Sequence, residues 1–116
     1  REMTAPTWYG ADDAETLLVC WGSTYGACRE AVDVLNGRDR QAALLHFSQV
    51  WPFDAEKVNE ALSPATRIWC VEGNSTGQFA ALLRAEGVVR ETRHLGRYDG
   101  VPITPGQIVT EVENAD

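Results

Sequence analysis

Three short apolar runs recur along the chain, at 16–21 (TLLVCW), 42–47 (AALLHF) and 67–72 (RIWCVE). None alternates polar with apolar residues. A strand with one wet face alternates at period two, so a run apolar on both faces fits a central strand of a parallel sheet, covered above and below. Helical patterns lie between the runs. Ala27, Cys28, Ala31, Val34 and Leu35 share one face of the first, which Asn36-Gly37 ends, with Gly37 supplying a left-handed C-terminal residue.

The second helical pattern opens with Asp54 as N-cap and Glu56 in the first turn, buries Ala55, Val58, Ala61 and Leu62, and stops at Ser63-Pro64. The third opens with a Ser75-x-x-Gln78 capping box, buries Phe79, Leu82 and Leu83, and frays at Gly87. A more polar fourth strand fits 89–95. Thr104-Pro105-x-Gln107 opens a last helix, with Thr as N-cap, Pro at the first helical position and Gln at N3.

The alternation predicts an α/β fold. Right-handed crossovers place the second apolar run on one side of the first and the third on the other, giving four parallel strands in the order 2-1-3-4. Residues 1–16 lack clear periodicity and read as a linker with a short edge strand available at Thr7-Trp8-Tyr9. The domain proper spans 17–113, and 114–116 form a tail. The 116 residues fit one domain, and the start at Arg1 reads as a piece of a longer protein.

In that strand order the winding reverses between the first and third runs, which opens a crevice at their carboxyl ends. Two turns line it: Gly22-Ser23-Thr24-Tyr25-Gly26 and Gly73-Asn74-Ser75-Thr76-Gly77. Each opens a helix, so each could cradle an anion on backbone N–H groups, or simply serve as a capped turn. Neither matches a dinucleotide or phosphate-loop pattern. Glu72 ends a strand where catalytic groups occur in α/β folds, but it has no partner carboxylate, and a turn or interface hydrogen bond is the expectation. His46 reads as a hydrogen-bonded strand-end or interface residue and His94 as a surface residue. Trp51 and Phe53 around Pro52 read as a partner-facing patch or satellite core.

Charge narrows the function. Lys and Arg total 10 against 17 Asp and Glu, a net charge of −7. That balance argues against nucleic acid and anionic membranes as partners. No apolar run reaches a membrane span, and no signal peptide is legible. The three cysteines, Cys20, Cys28 and Cys70, are odd in number and form no C-x-x-C pair. They read as buried reduced thiols of a cytoplasmic protein, outside any zinc or iron–sulfur pattern.

Several ordered segments carry a resemblance. They are Trp21-Gly22-Ser23-Thr24-Tyr25-Gly26 with Arg29-Glu30-Ala31; Leu45-His46-Phe47 into Trp51-Pro52-Phe53; Val71-Glu72-Gly73-Asn74-Ser75-Thr76-Gly77-Gln78; and Tyr98-Asp99-Gly100 with Pro102-Ile103-Thr104-Pro105. Together, across 9–112, they resemble the C-terminal domain of the alpha subunit of 2-oxoacid:ferredoxin oxidoreductases, of the 2-oxoglutarate or pyruvate type. The resemblance implies a three-layer α/β/α, transketolase C-terminal-like fold whose short first strand is antiparallel. It implies a parent enzyme that decarboxylates a 2-oxoacid on thiamine diphosphate with Mg2+, passes electrons through an iron–sulfur cluster to ferredoxin, and gives the acyl group to coenzyme A.

The family's cofactor ligands lie in other domains or in the beta subunit, so none transfers to this chain, and no catalytic, cofactor or metal residue is assigned. The Pro102-Ile103-Thr104-Pro105 string is read as a helix cap. The implied partners are the rest of the alpha subunit, the beta subunit and, through the complex, ferredoxin. The candidate interface comprises Ser23, Thr24, Tyr25, Arg29, Trp51, Phe53, Glu72, Asn74, Thr76 and Gln78. The expected function is an assembly domain, inactive alone. The alternatives are a small module binding an anion or coenzyme A, or the C-terminal domain of another thiamine enzyme, a dehydrogenase E1 beta subunit or a transketolase.

Overall fold

A computed structural model describes residues 6–47, 54–72, 78–96 and 102–115. Five strands form one mixed sheet: β1 (Thr7–Gly10), β2 (Thr16–Trp21), β3 (Ala42–Phe47), β4 (Arg67–Val71) and β5 (Arg93–Leu95). The helices are α1 (Tyr25–Gly37), α2 (Ala55–Leu62), α3 (Gln78–Ala85) and α4 (Pro105–Asn114), with a 3-10 turn at Gly22–Thr24 before α1. The sheet order is β1-β3-β2-β4-β5. β2, β3, β4 and β5 run parallel, in the relative order expected from right-handed crossovers, and β1 adds to β3 antiparallel.

Side-chain parity on the strands divides the core in two. Leu17 and Val19 of β2 join Ala43, Leu45, Phe47, Ile68 and Cys70 beneath α2 and α3, which contribute Val58, Leu62, Phe79 and Leu83. Leu18 and Cys20 join Ala42, Leu44, Trp69 and Val71 beneath α1 and α4, which contribute Cys28, Ala31, Val32, Leu35, Ile108, Val109 and Val112. Both faces of β2 are dry, which explains its unbroken apolar run.

The helix ends follow local chemistry. The Asp54 carboxylate accepts from the Glu56 and Lys57 amides. Thr104 and Gln107 form the full capping box, with Pro105 in the first turn. Gly87, at φ +105°, closes α3. Val88 N bonds to Leu83 O at 2.9 Å and Gly87 N to Arg84 O at 3.2 Å, while Val88 packs in the same cluster as Leu83.

Three expectations are corrected. Val34 is 40% exposed, and Val32 takes the buried place on α1, because the buried stripe 28, 31, 32, 35 centres on 28 and 35 and 34 falls beyond its edge. The left-handed residue after α1 is Asp39, at φ 62°, not Gly37. The Asn36 side chain extends the ladder instead: Oδ1 accepts from Ala42 N at 2.7 Å and Nδ2 donates to Ala42 O at 3.0 Å. The fourth parallel strand is only Arg93–Leu95. Upstream, Val89 N bonds to Asn59 Oδ1, and the Arg90 guanidinium donates to the carbonyls of Leu62, Ser63 and Ala65. The Val89 amide is thus spent on α2 and does not pair with β4. The Ser75 capping box lies outside the described residues.

Gly10 has a backbone reason to be glycine. It sits at φ +118°, and a Cβ there would stand 2.6 Å from Ala42 O and 2.7 Å from Ala43 Cα. Gly10→Ala is therefore predicted to cost about 2–3 kcal/mol in urea unfolding, from left-handed strain and the clash with β3. A loss within experimental error would contradict this reading of the β1–β3 approach.

Candidate functional site

The switch point of this sheet lies between β2 and β4, where α1 and α3 leave on opposite faces. Three groups end there. Trp21 closes β2 and is 46% exposed, its ring centroid 6.1 Å from that of Phe79 on α3. The backbone then turns at Gly22, at φ +70°, into the 3-10 turn. Glu72 follows β4 and is 5% exposed.

Among the described residues, the polar groups here are largely spent on the fold. Thr24, buried, donates from Oγ1 to Trp21 O at 3.2 Å. Glu72 Oε1 accepts from Phe79 N at 2.8 Å and Oε2 from Ala80 N at 3.4 Å, while its own amide donates to Leu95 O. A carboxylate at the positive end of α3 satisfies amides that the helix leaves open. His94 is a surface residue of β5 as expected, with Nε2 3.7 Å from Glu72 Oε2. A cavity of about 590 Å3 lies beside β5 and α4, but its Thr104 and Gln107 are occupied with the capping box.

A second group lies on the α1 flank. Arg29 Nη1 donates to Tyr25 Oη at 3.4 Å, and the Arg29 guanidinium carbon lies 4.6 Å from the centre of the Tyr9 ring. Tyr9 donates to Asp33 Oδ1 at 2.7 Å. The Tyr25 ring packs on His46 at 4.5 Å between centroids. Hydrogen bonding to Tyr9, then to Tyr25, holds Arg29 above its ordinary pKa. His46 departs from expectation: its Nε2 is buried with no hydrogen-bond partner among the described residues. Its strand position turns it toward α1, where it meets the Tyr25 ring rather than a polar partner.

Thus Thr24, Tyr25, Arg29 and Glu72 are placed, with Tyr25 and Arg29 in contact and Glu72 on the other side of β2. Trp51, Phe53, Asn74 and Thr76 lie outside the described residues, as do the side chains of Ser23 and Gln78. Sequence reading passed over Trp21, Tyr9 and Asp33 as site residues. The signal for Trp21 was a large ring as the last residue of a central strand, one step before a glycine turn.

Among the described residues no group of three His, Cys, Asp or Glu side chains could hold a metal. The cysteines do not fit an iron–sulfur cluster: all are buried, with Cys20 and Cys28 on the α1 face of the sheet and Cys70 on the other. The hydrogen bond between Cys28 and Cys20, then burial, pushes the Cys28 thiol far up; burial, then the Glu72 charge, raises Cys70. Among the described residues no helix is long and apolar enough to cross a membrane.

Two predictions follow from these contacts. Glu72→Ala leaves two helix amides without their acceptor and is expected to cost roughly 2–3 kcal/mol, with Glu72→Gln, which keeps one acceptor oxygen, losing less. Equal losses in urea unfolding would contradict the capping role. The raised thiols set a pH dependence. Above the ordinary thiol value of 9.0 the unfolded chain releases protons that the folded chain keeps. Stability is therefore full below that value and falls above it. Urea unfolding near pH 8 and near pH 10 should show the fall, and a Cys28→Ala, Cys70→Ala double variant should flatten it.

Comparison with known proteins places this arrangement. Residues 14–108 match the family described as pyruvate:ferredoxin oxidoreductase core domain II. The chain is 33% identical over 107 residues to the alpha subunit of 2-oxoacid:ferredoxin oxidoreductase 1 of Aeropyrum pernix, covering 90% of this chain and 17% of that subunit. The chain therefore spans a small part of that relative. In fold it is similar to 2-oxoglutarate:ferredoxin oxidoreductase from Magnetococcus marinus, solved with 2-oxoglutarate, coenzyme A and succinyl-CoA bound. The TM-score is 0.87 at 24% identity, over 96% of this chain and 19% of that one. It is also similar in fold to a split-gene transketolase, an inactive beta4 tetramer, with a TM-score of 0.72 at 17% identity over 94% and 41%. The transketolase-like α/β fold and the order of the sequence segments thus converge, and the chain belongs to the pyruvate:ferredoxin oxidoreductase core domain II family.

Proposed function

We propose that this chain is the assembly domain of the alpha subunit of a thiamine-diphosphate-dependent 2-oxoacid:ferredoxin oxidoreductase. The parent enzyme would oxidatively decarboxylate a 2-oxoacid to an acyl-CoA and reduce ferredoxin. On this reading thiamine diphosphate, Mg2+ and the iron–sulfur cluster are held elsewhere in the enzyme, and the chain works in the cytoplasm, where its unpaired thiols stay reduced. Its partners are the remaining alpha-subunit domains and the beta subunit.

One observation carries the reading. At the switch point, where α/β folds place their ligands, Thr24 and Glu72 are tied up in backbone hydrogen bonds, while the large Trp21 ring is left half in water. Bound chemistry needs unspent polar groups. A docking face needs an aromatic anchor that becomes buried, and tryptophan is prominent among residues that dominate binding energy.

The test is Trp21→Ser in the assembled enzyme. The exposed ring contributes little to the isolated fold, so its thermal midpoint should stay close to that of the parent chain. The dissociation constant for assembly should rise about tenfold or more. Unchanged assembly would contradict the docking role. The same chain alone should reduce no ferredoxin with any 2-oxoacid, and calorimetric titration with coenzyme A, ADP or phosphate should give no heat of binding. Saturable binding of coenzyme A would favour the ligand-module reading instead.

A further inference from the structure

Arg29 is exposed, yet it is held in one pose from two sides. The Tyr9 ring lies against the face of its guanidinium, and Tyr25 Oη takes a hydrogen bond from Nη1. Both supports are themselves anchored. Tyr9 stands on β1 and is tied to Asp33 at 2.7 Å, and Tyr25 packs on His46 of β3. An exposed arginine ordinarily samples many rotamers and loses that freedom when it binds. Here much of the ordering is complete before any partner arrives.

Among the described residues this cation has no anion beside it. Asp33, one turn along α1 and the acid best placed to pair with it, accepts from Tyr9 instead. Among the described residues Arg29 makes no ion pair. Arg38, on the same helix face of the fold, shows the contrast: it meets Glu113 at 2.7 Å. A guanidinium ordered by two tyrosines, with no carboxylate partner among the described residues, is complementary to an acid on another polypeptide. The neighbouring surface admits close approach. Gly26 precedes Arg29 by three residues on α1, and no heavy atom lies within 4 Å of the place its Cβ would take.

We propose that Arg29 is an interface anchor whose guanidinium receives an Asp or Glu carboxylate from the polypeptide that covers the α1 flank in the assembled enzyme. The proposal rests on the docking reading above and names the chemistry of its partner. Tyr9 and Tyr25 are its positioning residues.

The experiment uses the assembled multisubunit enzyme carrying Arg29→Met, Arg29→Lys or Gly26→Leu. Arg29→Met should raise the dissociation constant for assembly about tenfold, with added salt shrinking the difference from wild type. The Arg29→Lys amine, treated with a water-soluble carbodiimide, should form an amide with an Asp or Glu outside residues 1–116, identified by peptide mapping. Assembly unchanged by Arg29→Met overturns the proposal, as do cross-links confined to Glu30 or Asp33 of the same chain. Gly26→Leu separates the two readings, because it fills open space on the same flank while keeping the guanidinium. If Gly26→Leu weakens assembly and Arg29→Met does not, the flank docks and Arg29 is not its anchor. If neither variant weakens assembly, docking at this flank fails together with the anchor.

Discussion

Burial of both faces of β2 is the constraint on which the rest depends. Leu17 and Val19 look toward α2 and α3, Leu18 and Cys20 toward α1 and α4, and all four are fully buried. A strand dry on both sides needs a helical layer above and below. Parallel neighbours then require crossovers, and their fixed hand sends β3 to one side of β2 and β4 to the other. The switch point at the carboxyl end of β2 and β4 follows from that hand rather than from any residue placed there.

The same constraint explains why the described residues at the switch point carry so little free chemistry. Elements leaving a doubly covered sheet have open backbone groups where helices begin. Glu72 meets that need on the first amides of α3, while Thr24 ties its hydroxyl to the Trp21 carbonyl. Glu72 sits where α/β enzymes carry catalytic groups, but its carboxylate is committed to a helix end. Among the described residues, what the fold leaves over is aromatic and cationic: Trp21 on the crevice, and Arg29 between two tyrosines on the flank.

Most of the fold was legible because it rests on local patterns. The apolar runs gave β2 and β3 their bounds, Asp54 and the Thr104–Gln107 pair marked helix starts, and crossover hand ordered the parallel strands. The misreadings arose where a side chain from a distant segment took over a backbone partner. Asn36 extends the β3 ladder and so moves the left-handed residue from Gly37 to Asp39. Asn59 and the carbonyls closing α2 hold 89–90, shortening the last strand to Arg93–Leu95. The Arg29 cluster was only partly legible, since Tyr9 and Asp33 lie 24 residues apart and meet only when β1 adds to the sheet edge beside α1.

The central claim is that the carboxyl end of β2 and the adjoining α1 flank form a covered face in the working enzyme. Hydroxyl-radical footprinting of Trp21 and Tyr25 measures this directly, by comparing their oxidation rates in the isolated chain and in the assembled complex. The account predicts that Trp21 oxidises readily in the isolated chain and is strongly protected on assembly, with Tyr25 protected alongside it. Equal oxidation rates in the two states would contradict it.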